Sequence, residues 1–270
     1  MSKIAISNLA WNYTEDESVF EIMKEQEVNR LEFCPFRESG AFNATNLPTV
    51  DSLRETMHKH SISIVSMQSL LYNHPELTIF DSNLTREKTL DHLIKVIYFA
   101  SEIGSKTLVF GSPKNRIKGS MANNRAISIA IDFFGRIAEI CQKMNIVFCI
   151  EPMPVDYGAD FIINTTEAVD LVKKINIKSF KMNLDLGSLI LNREDPEEVI
   201  YESIEHAGHL HISEPFLKIV RRDYLFHKKI SDTIKKSSYS GNLSIEMLPS
   251  KSENLNTISK TLSFIKEIYG

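Results

Sequence analysis

Short apolar runs alternate along this chain with longer segments in which apolar residues recur at helical spacing. Each short run has the length and apolar content of a buried strand, and each is followed by an amphipathic, helix-like stretch. The predicted strands are KIAIS (3–7), RLEFC (30–34), ISIVSMQ (62–68), TLVFG (107–111), IVFCIE (146–151), FKMNLD (180–185), HLHIS (209–213) and LSIEM (243–247).

The helical stretches carry start and stop signals at their ends. Hydroxyl and acidic side chains suit helix starts, proline is tolerated in the first turn, and glycine often follows the last turn. The predicted start signals are Thr14-Glu15-Asp16-Glu17, Thr49-Val50-Asp51-Ser52, Thr85-Arg86-Glu87-Lys88 and Asp195-Pro196, and Gly104 marks an end.

Eight strand-then-helix units repeat at roughly 30-residue spacing, without a linker or a low-complexity segment between them. This repeat predicts an α/β fold, a single (β/α)₈ TIM barrel formed by residues 1–270 as one domain. A doubly wound open sheet is the main competitor. It usually shows a glycine-rich turn after the first strand, and SNLAWN (7–12) has no glycine.

Charge and composition exclude several classes of partner. The 31 Lys and Arg residues against 35 Asp and Glu give a net charge of −4, whereas nucleic-acid binding favours a basic surface. No apolar run approaches the roughly 18 residues of a membrane-spanning helix. The N-terminal MSKIAISNLAW lacks the features of a signal peptide. Three cysteines without a C-x-x-C pair favour a reducing compartment. We therefore expect a cytoplasmic protein that binds neither nucleic acid nor membrane.

Ionisable residues fall at the carboxyl ends of four consecutive strands, which is where barrel enzymes place catalytic groups. Glu151, Asp185, His211 and Glu246 interrupt otherwise apolar strands 5 to 8. Any one of them alone could be explained by a salt bridge or a hydrogen bond to a neighbouring strand. Four together, without a cation nearby in sequence, predict a divalent metal ion, because unpaired buried carboxylates are costly. Oxygen-rich ligation with one nitrogen suits Mn²⁺, Mg²⁺ or Co²⁺, and Zn²⁺ is compatible.

The motifs IEP, LDLG, HLHISEP and SIEM, in that order at the ends of strands 5 to 8, resemble the xylose isomerase-like TIM barrel superfamily and its sugar phosphate isomerase/epimerase group. The resemblance covers essentially the whole chain. It implies that Glu151, Asp185, His211 and Glu246 bind one metal ion, with Mn²⁺ the first expectation. His209 points to the same side of its strand as His211, and we interpret it as a packed, hydrogen-bonded residue.

The resemblance also implies an enzyme, a metal-dependent isomerase or epimerase of a small-molecule sugar or sugar derivative. A proton is abstracted next to a metal-bound carbonyl through an enediolate, with Glu151 and Glu246 as the acid/base pair. Three alternatives stay open: a dehydratase of a keto-polyol, a zinc-dependent nuclease of the same superfamily, and a non-catalytic barrel. Proteins of this group often form homo-oligomers, although the sequence carries no interface signature.

Three positions depart from the pattern that ketose 3-epimerases show. Ser188 stands where a histidine often contacts the substrate, Tyr157 where a second glutamate is usual, and Leu217 where an arginine is usual. The departures concern substrate handling and leave the ligand set intact. They argue against a 3-epimerase of free ketoses.

Other residues near strand ends are candidates for substrate contact. Lys114 and Arg116, in GSPKNR (111–116), could bind a phosphate or carboxylate group of the substrate, or form a solvated basic turn. Glu32, on the second strand, is expected to orient a neighbour rather than to react. The remaining candidates at the rim are Asn8, Trp11, Gln68, Ser188, Glu214, Arg221 and Arg222.

Overall fold

The computed structural model describes residues 3–35, 50–220 and 223–270. In this part of the chain eight parallel strands close into a barrel in sequence order, and the last strand pairs with the first. The strands are β1 (Ile4–Ser7), β2 (Arg30–Phe33), β3 (Ser63–Met67), β4 (Thr107–Phe110), β5 (Val147–Ile150), β6 (Phe180–Asp185), β7 (Ala207–Ser213) and β8 (Leu243–Glu246). The predicted (β/α)₈ barrel is confirmed, and every strand ends within two residues of its predicted bounds.

Nine α-helices in the described residues surround the barrel, one more than the repeat predicts, because two helices connect β6 to β7. None of them is both long enough and apolar enough to cross a bilayer. The helices are α1 (Asp16–Glu25), α2 (Val50–Lys59), α3 (Asn83–Glu102), α4 (Asn123–Lys143), α5 (Thr165–Ile175), α6 (Leu186–Leu191), α7 (Pro196–Ser203), α8 (Tyr224–Lys236) and α9 (Asn254–Tyr269).

Two of the predicted helix starts are displaced. Helix α3 begins at Asn83, where the hydroxyl of Ser82 accepts a hydrogen bond from the backbone N–H of Thr85. The serine caps the helix one turn earlier than Thr85 would. Before α1, the carboxylate of Glu15 accepts from the backbone N–H of Asn12, so Thr14 lies inside a short 3₁₀ turn rather than at the cap.

The other signals agree with the structure wherever it describes them. The carboxylate of Asp195 accepts from the backbone N–H groups of Glu197 and Glu198 and caps α7. Gly104 follows α3 with a φ of +85°, a conformation that glycine adopts without strain. Thr49 lies outside the described residues, and α2 begins at the next position.

The outward faces of the strands are apolar and pack against the helices. Phe134 of α4 is fully buried against Phe110 of β4, Phe148 of β5 and Phe180 of β6, with ring centroids 5.5, 6.1 and 5.5 Å away. Each buried aromatic side chain of this size stabilises the fold by about 1.5–3 kcal/mol. The sheet-to-helix layer is therefore the main hydrophobic core on this side of the barrel.

The inward faces of the same strands are largely polar, because successive side chains of a strand point to opposite sides. The interior of such a barrel is usually filled by bulky branched apolar residues. Here the fully buried polar residues of the strands are Ser7, Glu32, Ser66, Asn183, His209, His211 and Ser244. This polar interior extends to the carboxyl ends of the strands.

Candidate active site

Four ionisable side chains meet at the carboxyl ends of neighbouring strands. Asp185 and Glu246 are the last residues of β6 and β8, His211 lies in β7, and Glu151 follows β5 directly. All four are buried, and each offers one ligand atom within 4.8 Å of the others. Parallel strands of a closed barrel bring these ends together, so the fold assembles the four residues that the sequence singled out.

The spacing of these atoms leaves room for one divalent cation between them. The Nδ1 atom of His211 lies 3.1 Å from Glu246 Oε2, 3.8 Å from Asp185 Oδ2 and 3.9 Å from Glu151 Oε1. Metal–ligand bonds of about 2.1 Å place octahedral ligands about 3.0 Å apart when adjacent and about 4.2 Å apart when opposite. Three carboxylates and one imidazole are also a donor set that Mn²⁺, Mg²⁺, Co²⁺ and Zn²⁺ accept.

The electrostatics of the cluster also favour an added positive charge. Burial raises the pKa of Glu151 well above its ordinary value, and Asp185 and Glu246 raise it further. Burial likewise raises the pKa of Glu246. Burial alone would lower the pKa of His211, yet the carboxylates of Glu32 and Glu246 hold it well above its usual range. A divalent cation would offset the repulsion among these buried carboxylates.

Two serine groups fix the carboxylate of Asp185. Its Oδ1 accepts a 2.6 Å hydrogen bond from the backbone N–H of Ser188 at the start of α6, and its Oδ2 accepts from the hydroxyl of Ser213. Ser213 in turn accepts from the backbone N–H of Gly187. Ser213 was not among the residues predicted from the sequence. Its position two residues beyond His211 indicates that it points into the barrel, because side chains two apart on a strand lie on the same face.

Glu151 is positioned by its neighbours on β4 and on the turn that follows. A Cβ atom at Gly111 would lie 2.9 Å from Glu151 Oε2, so the carboxylate occupies the space that only glycine leaves. The guanidinium of Arg116 donates a 2.6 Å hydrogen bond from Nη2 to the backbone carbonyl of Glu151. Burial lowers the pKa of Arg116 to about 10, which leaves the side chain cationic at neutral pH.

A cavity of about 190 Å³ opens above the ligands. It is smaller than the roughly 300–1,000 Å³ of pockets for drug-sized ligands. Besides Glu151, Asp185 and Glu246, its described polar lining is Gln68, Ser69, Ser112 and Ser188, and its larger apolar lining is Val109, Met153, Tyr157 and Leu217. All three positions that depart from the 3-epimerase pattern therefore line this cavity.

Three of the cavity residues adopt the left-handed conformation, which is unfavourable for side chains other than glycine. Ser69, Ser112 and Leu217 have φ angles of +61°, +41° and +52°. Such backbone conformations cost of order 1–3 kcal/mol each and cluster at binding and catalytic sites. Their position at this end of the barrel supports the location of the functional site.

The other predicted contact residues divide by position. Gln68 lines the cavity and donates from Nε2 to the Ser7 hydroxyl at 2.5 Å. Trp11 is buried, and its indole N–H donates to Asp16 at 2.6 Å, so it has no exposed ring face to offer a sugar. Glu214 follows β7 and lies outside the described lining.

The two cations predicted to bind an anionic substrate do not reach the cavity. Arg116 is fully buried behind Glu151, and Lys114 is exposed on the turn after β4. Asn8 is buried and accepts from the backbone N–H of Cys34 at 2.7 Å, so it secures the end of β2. Arg221 and Arg222 lie outside the described residues.

A second polar cluster lies deeper in the barrel. The carboxylate of Glu32 lies 3.1 Å from Nε2 of His209 and 3.0 Å from Nε2 of His211, and all three side chains are fully buried. Burial by itself would raise the pKa of Glu32, but the two histidines hold it well below its ordinary value. Burial lowers the pKa of His209. Glu32, His209 and His211 thus form one buried, electrostatically coupled cluster.

Solved structures with the same fold extend over nearly the whole chain. The apo form of 3-keto-D-glucoside 4-epimerase from E. coli superposes with a TM-score of 0.81 at 13% identity, covering 99% of this chain and 100% of its own. D-psicose 3-epimerase from Clostridium cellulolyticum H10 gives 0.79 at 14%, with 100% and 99% covered. A sugar phosphate isomerase/epimerase from Parabacteroides distasonis gives 0.73 at 14%, with 97% and 93% covered.

Sequence similarity identifies the family but no individual relative. At 13–14% identity the structural similarity shows a shared fold and nothing finer. No curated protein matches the sequence at a significant level. The sequence model of one family, described as the xylose isomerase-like TIM barrel, matches residues 21–268. The family expected from the strand-end motifs is thereby confirmed, and the chain belongs to the xylose isomerase-like TIM barrel family.

Proposed function

We propose that this protein is a divalent-metal-dependent isomerase or epimerase that acts on a sugar or sugar derivative. The observation that carries the proposal is the set of three buried carboxylates and one imidazole within 4.8 Å of one another beneath a small cavity. Proteins with the same fold include epimerases of a 3-keto-D-glucoside and of D-psicose. Their activities make a sugar the first substrate class to test.

Glu151, Asp185, His211 and Glu246 would hold the cation, with Mn²⁺ expected first and Mg²⁺, Co²⁺ and Zn²⁺ as alternatives. When bound, a divalent ion supplies Lewis acidity, which polarises a substrate carbonyl and acidifies the adjacent C–H bond. The protein contributes the fixed geometry of the ligands. Ser213 and the backbone of Ser188 orient Asp185 for this purpose.

Glu151 and Glu246 would move the proton. They reach the cavity from β5 and β8, which are not neighbours in the barrel, so a substrate bound between them meets two separate carboxylates. One glutamate removes the proton from the carbon next to the carbonyl, and the other, carrying a proton, returns one. Proton transfer by a positioned carboxylate of this kind is general acid–base catalysis.

Two products follow from the same first step. A proton returned to the opposite face of the same carbon inverts that carbon and gives epimerisation. A proton returned to the former carbonyl carbon, with the hydroxyl proton passing to the former carbonyl oxygen, gives aldose–ketose isomerisation. The side chain that delivers the second proton decides between them.

The cavity lining describes the part of the substrate that it would contact. Gln68 and Ser188 can hydrogen-bond hydroxyl groups, whereas Met153, Tyr157 and Leu217 form an apolar wall suited to the C–H face of a sugar. The described lining residues include no lysine or arginine. We therefore propose that these lining residues contact the hydroxyl groups and the ring face of a sugar.

Hydrogen exchange in D₂O tests the proposed chemistry. The Mn²⁺-loaded protein is incubated with a panel of ketohexoses and 3-keto-glucosides, and proton NMR follows each C–H signal. We expect deuterium to enter at the carbon next to the carbonyl, and Glu151→Gln and Glu246→Gln to abolish this entry. Conversion of a substrate without any deuterium incorporation would exclude the proton-transfer mechanism.

A further inference from the structure

The two ring nitrogens of His211 face different groups. Nδ1 is directed at the metal cluster, where its nearest carboxylate atom is Glu246 Oε2 at 3.1 Å. Nε2 lies on the other side of the ring, 3.0 Å from Glu32 Oε2. The imidazole thus stands between the ligand cluster and a carboxylate that belongs to none of the four strands carrying the ligands.

A histidine that binds a metal through one nitrogen carries a hydrogen on the other nitrogen. That N–H needs an acceptor, because an unsatisfied buried donor costs about 1–3 kcal/mol. His211 is fully buried, so bulk water does not reach its ring. A carboxylate oxygen of Glu32 can accept this hydrogen bond, and a hydrogen on Nε2 leaves the Nδ1 lone pair for the cluster.

His209 occupies the second oxygen of the same carboxylate. Its Nε2 lies 3.1 Å from Glu32 Oε1, and its ring meets that of His211 edge-on at 5.1 Å between centroids. Glu32 reaches both histidines from β2, which pairs with β1 and β3 and not with β7. The long side chain of Glu32 is held in place in the barrel interior when a histidine lies against each of its carboxylate oxygens.

We propose that Glu32 is a positioning residue that holds His211 with Nδ1 directed at the metal site, and that His209 acts through Glu32 by fixing its second oxygen. The inference rests on the proposed metal centre but concerns residues outside the ligand set. Second-sphere partners of this kind typically change metal affinity about 10–100-fold when removed.

The first test is calorimetric titration of the chelator-treated full-length protein with Mn²⁺. Glu32→Gln keeps the size of the side chain but replaces one acceptor oxygen by an NH₂ donor, so one histidine loses its acceptor. We expect Mn²⁺ affinity to fall about 10–100-fold, with a smaller fall in Glu32→Asp, which retains the carboxylate on a shorter stem. Ser66→Ala is the matched control, because Ser66 is fully buried and pairs in register with Glu32; its affinity should equal that of wild type.

A double-mutant cycle tests the role of His209. If His209 acts through Glu32, His209→Asn weakens Mn²⁺ binding less than Glu32→Gln does, and the double variant binds no worse than Glu32→Gln alone. Independent contributions would instead multiply, and that result would overturn the assignment of His209. Thermal unfolding of the metal-free variants separates a positioning effect from a loss of folded protein.

Histidine NMR supplies a readout that a merely structural role would not move. In ¹⁵N-histidine-labelled protein loaded with diamagnetic Mg²⁺, we expect His211 to be protonated at Nε2. The signals lost in His209→Asn and in His211→Asn assign the two rings among the eight histidines of the chain. Protonation of His211 at Nδ1, or Mn²⁺ affinity unchanged in Glu32→Gln, would overturn the proposal. A wild-type protein that binds no divalent cation would refute the metal centre itself, and that failure is visible before any variant is compared.

Discussion

The two faces of the same eight strands have opposite chemistry. The outward face is apolar, and its aromatic residues Phe110, Phe148 and Phe180 surround Phe134 of α4. The inward face is rich in buried serine, asparagine, glutamate and histidine. Parallel strands covered on both sides normally read as continuous apolar runs. The polar residues that interrupt these runs therefore identify the inward face as the functional one. The apolar positions identify the outward face as the one that stabilises the fold.

The largest effect should come from the inward face at a proton-transfer residue. Glu246→Gln keeps the shape of the side chain but cannot carry the proton, so we expect the rate of deuterium incorporation to fall about 10²–10⁴-fold. Glu253→Gln, on the turn before α9, is the control and should exchange like wild type. An exchange rate that Glu246→Gln leaves unchanged would remove this residue from the mechanism.

The outward face should control stability without controlling the site. Phe134→Ala leaves a cavity among four aromatic rings, and we expect the free energy of unfolding to fall by about 3–5 kcal/mol. Phe134→Leu should lose less, because it fills more of the space. Chemical denaturation gives the stability, and a Mn²⁺ titration of the folded variant should match wild type. A parallel loss of metal affinity would show that the two faces are coupled.

A titratable group in the outer layer should make stability depend on pH. Burial and, to a smaller extent, the nearby His74 ring lower the pKa of His92 on α3 to about 4. The ordinary value is about 6.5, so between pH 6.5 and 4 the unfolded chain binds a proton that the folded chain excludes. The free energy of unfolding therefore falls as the pH falls through this window.

We expect His92 to contribute about 1–2 kcal/mol to this acid destabilisation, after allowance for its partial exposure. In His92→Gln the loss of stability between pH 7 and pH 4.5 should be smaller than in wild type by that amount. His58→Gln, on the exposed side of α2, is the control and should follow wild type. Identical pH profiles for His92→Gln and wild type would contradict the assignment.

The smallest effect concerns a helix cap far from both faces. Asp195→Ala removes the carboxylate that accepts from two backbone N–H groups at the start of α7. We expect a loss of about 1 kcal/mol in the free energy of unfolding, most of it retained in Asp195→Asn. The rate of deuterium incorporation into substrate should be unaffected. A change in this rate would mean that the start of α7 influences the geometry of the cavity.

The strands and the cluster of four ionisable residues at their ends could be predicted because both depend on local pattern. Short apolar runs are visible in sequence, and the ends of parallel strands converge whatever their side chains are. The second helix between β6 and β7 was not predicted, because α6 spans only six residues, Leu186–Leu191, directly after Asp185. Too few positions repeat in such a segment for helical periodicity to appear.

The contact residues beyond the ligands were harder to predict, because burial and direction depend on the folded chain. Arg116 and Trp11 look like rim residues in sequence, but Arg116 binds the Glu151 carbonyl and Trp11 binds Asp16, both out of the cavity. Gly111 gives no sequence signal for its role, since only the structure shows Glu151 filling the space of its missing side chain.

The most direct test of the central claim is the metal content of protein purified without chelator, beside Asp185→Ala and Glu246→Gln. We expect about one divalent ion per wild-type chain and a lower content in both variants, because each removes a carboxylate from the proposed ligand set. Three zinc ions per chain would point instead to the nuclease chemistry of the superfamily. No bound ion, even after reconstitution with Mn²⁺, Co²⁺, Mg²⁺ and Zn²⁺, would contradict the metal centre and the mechanism that depends on it.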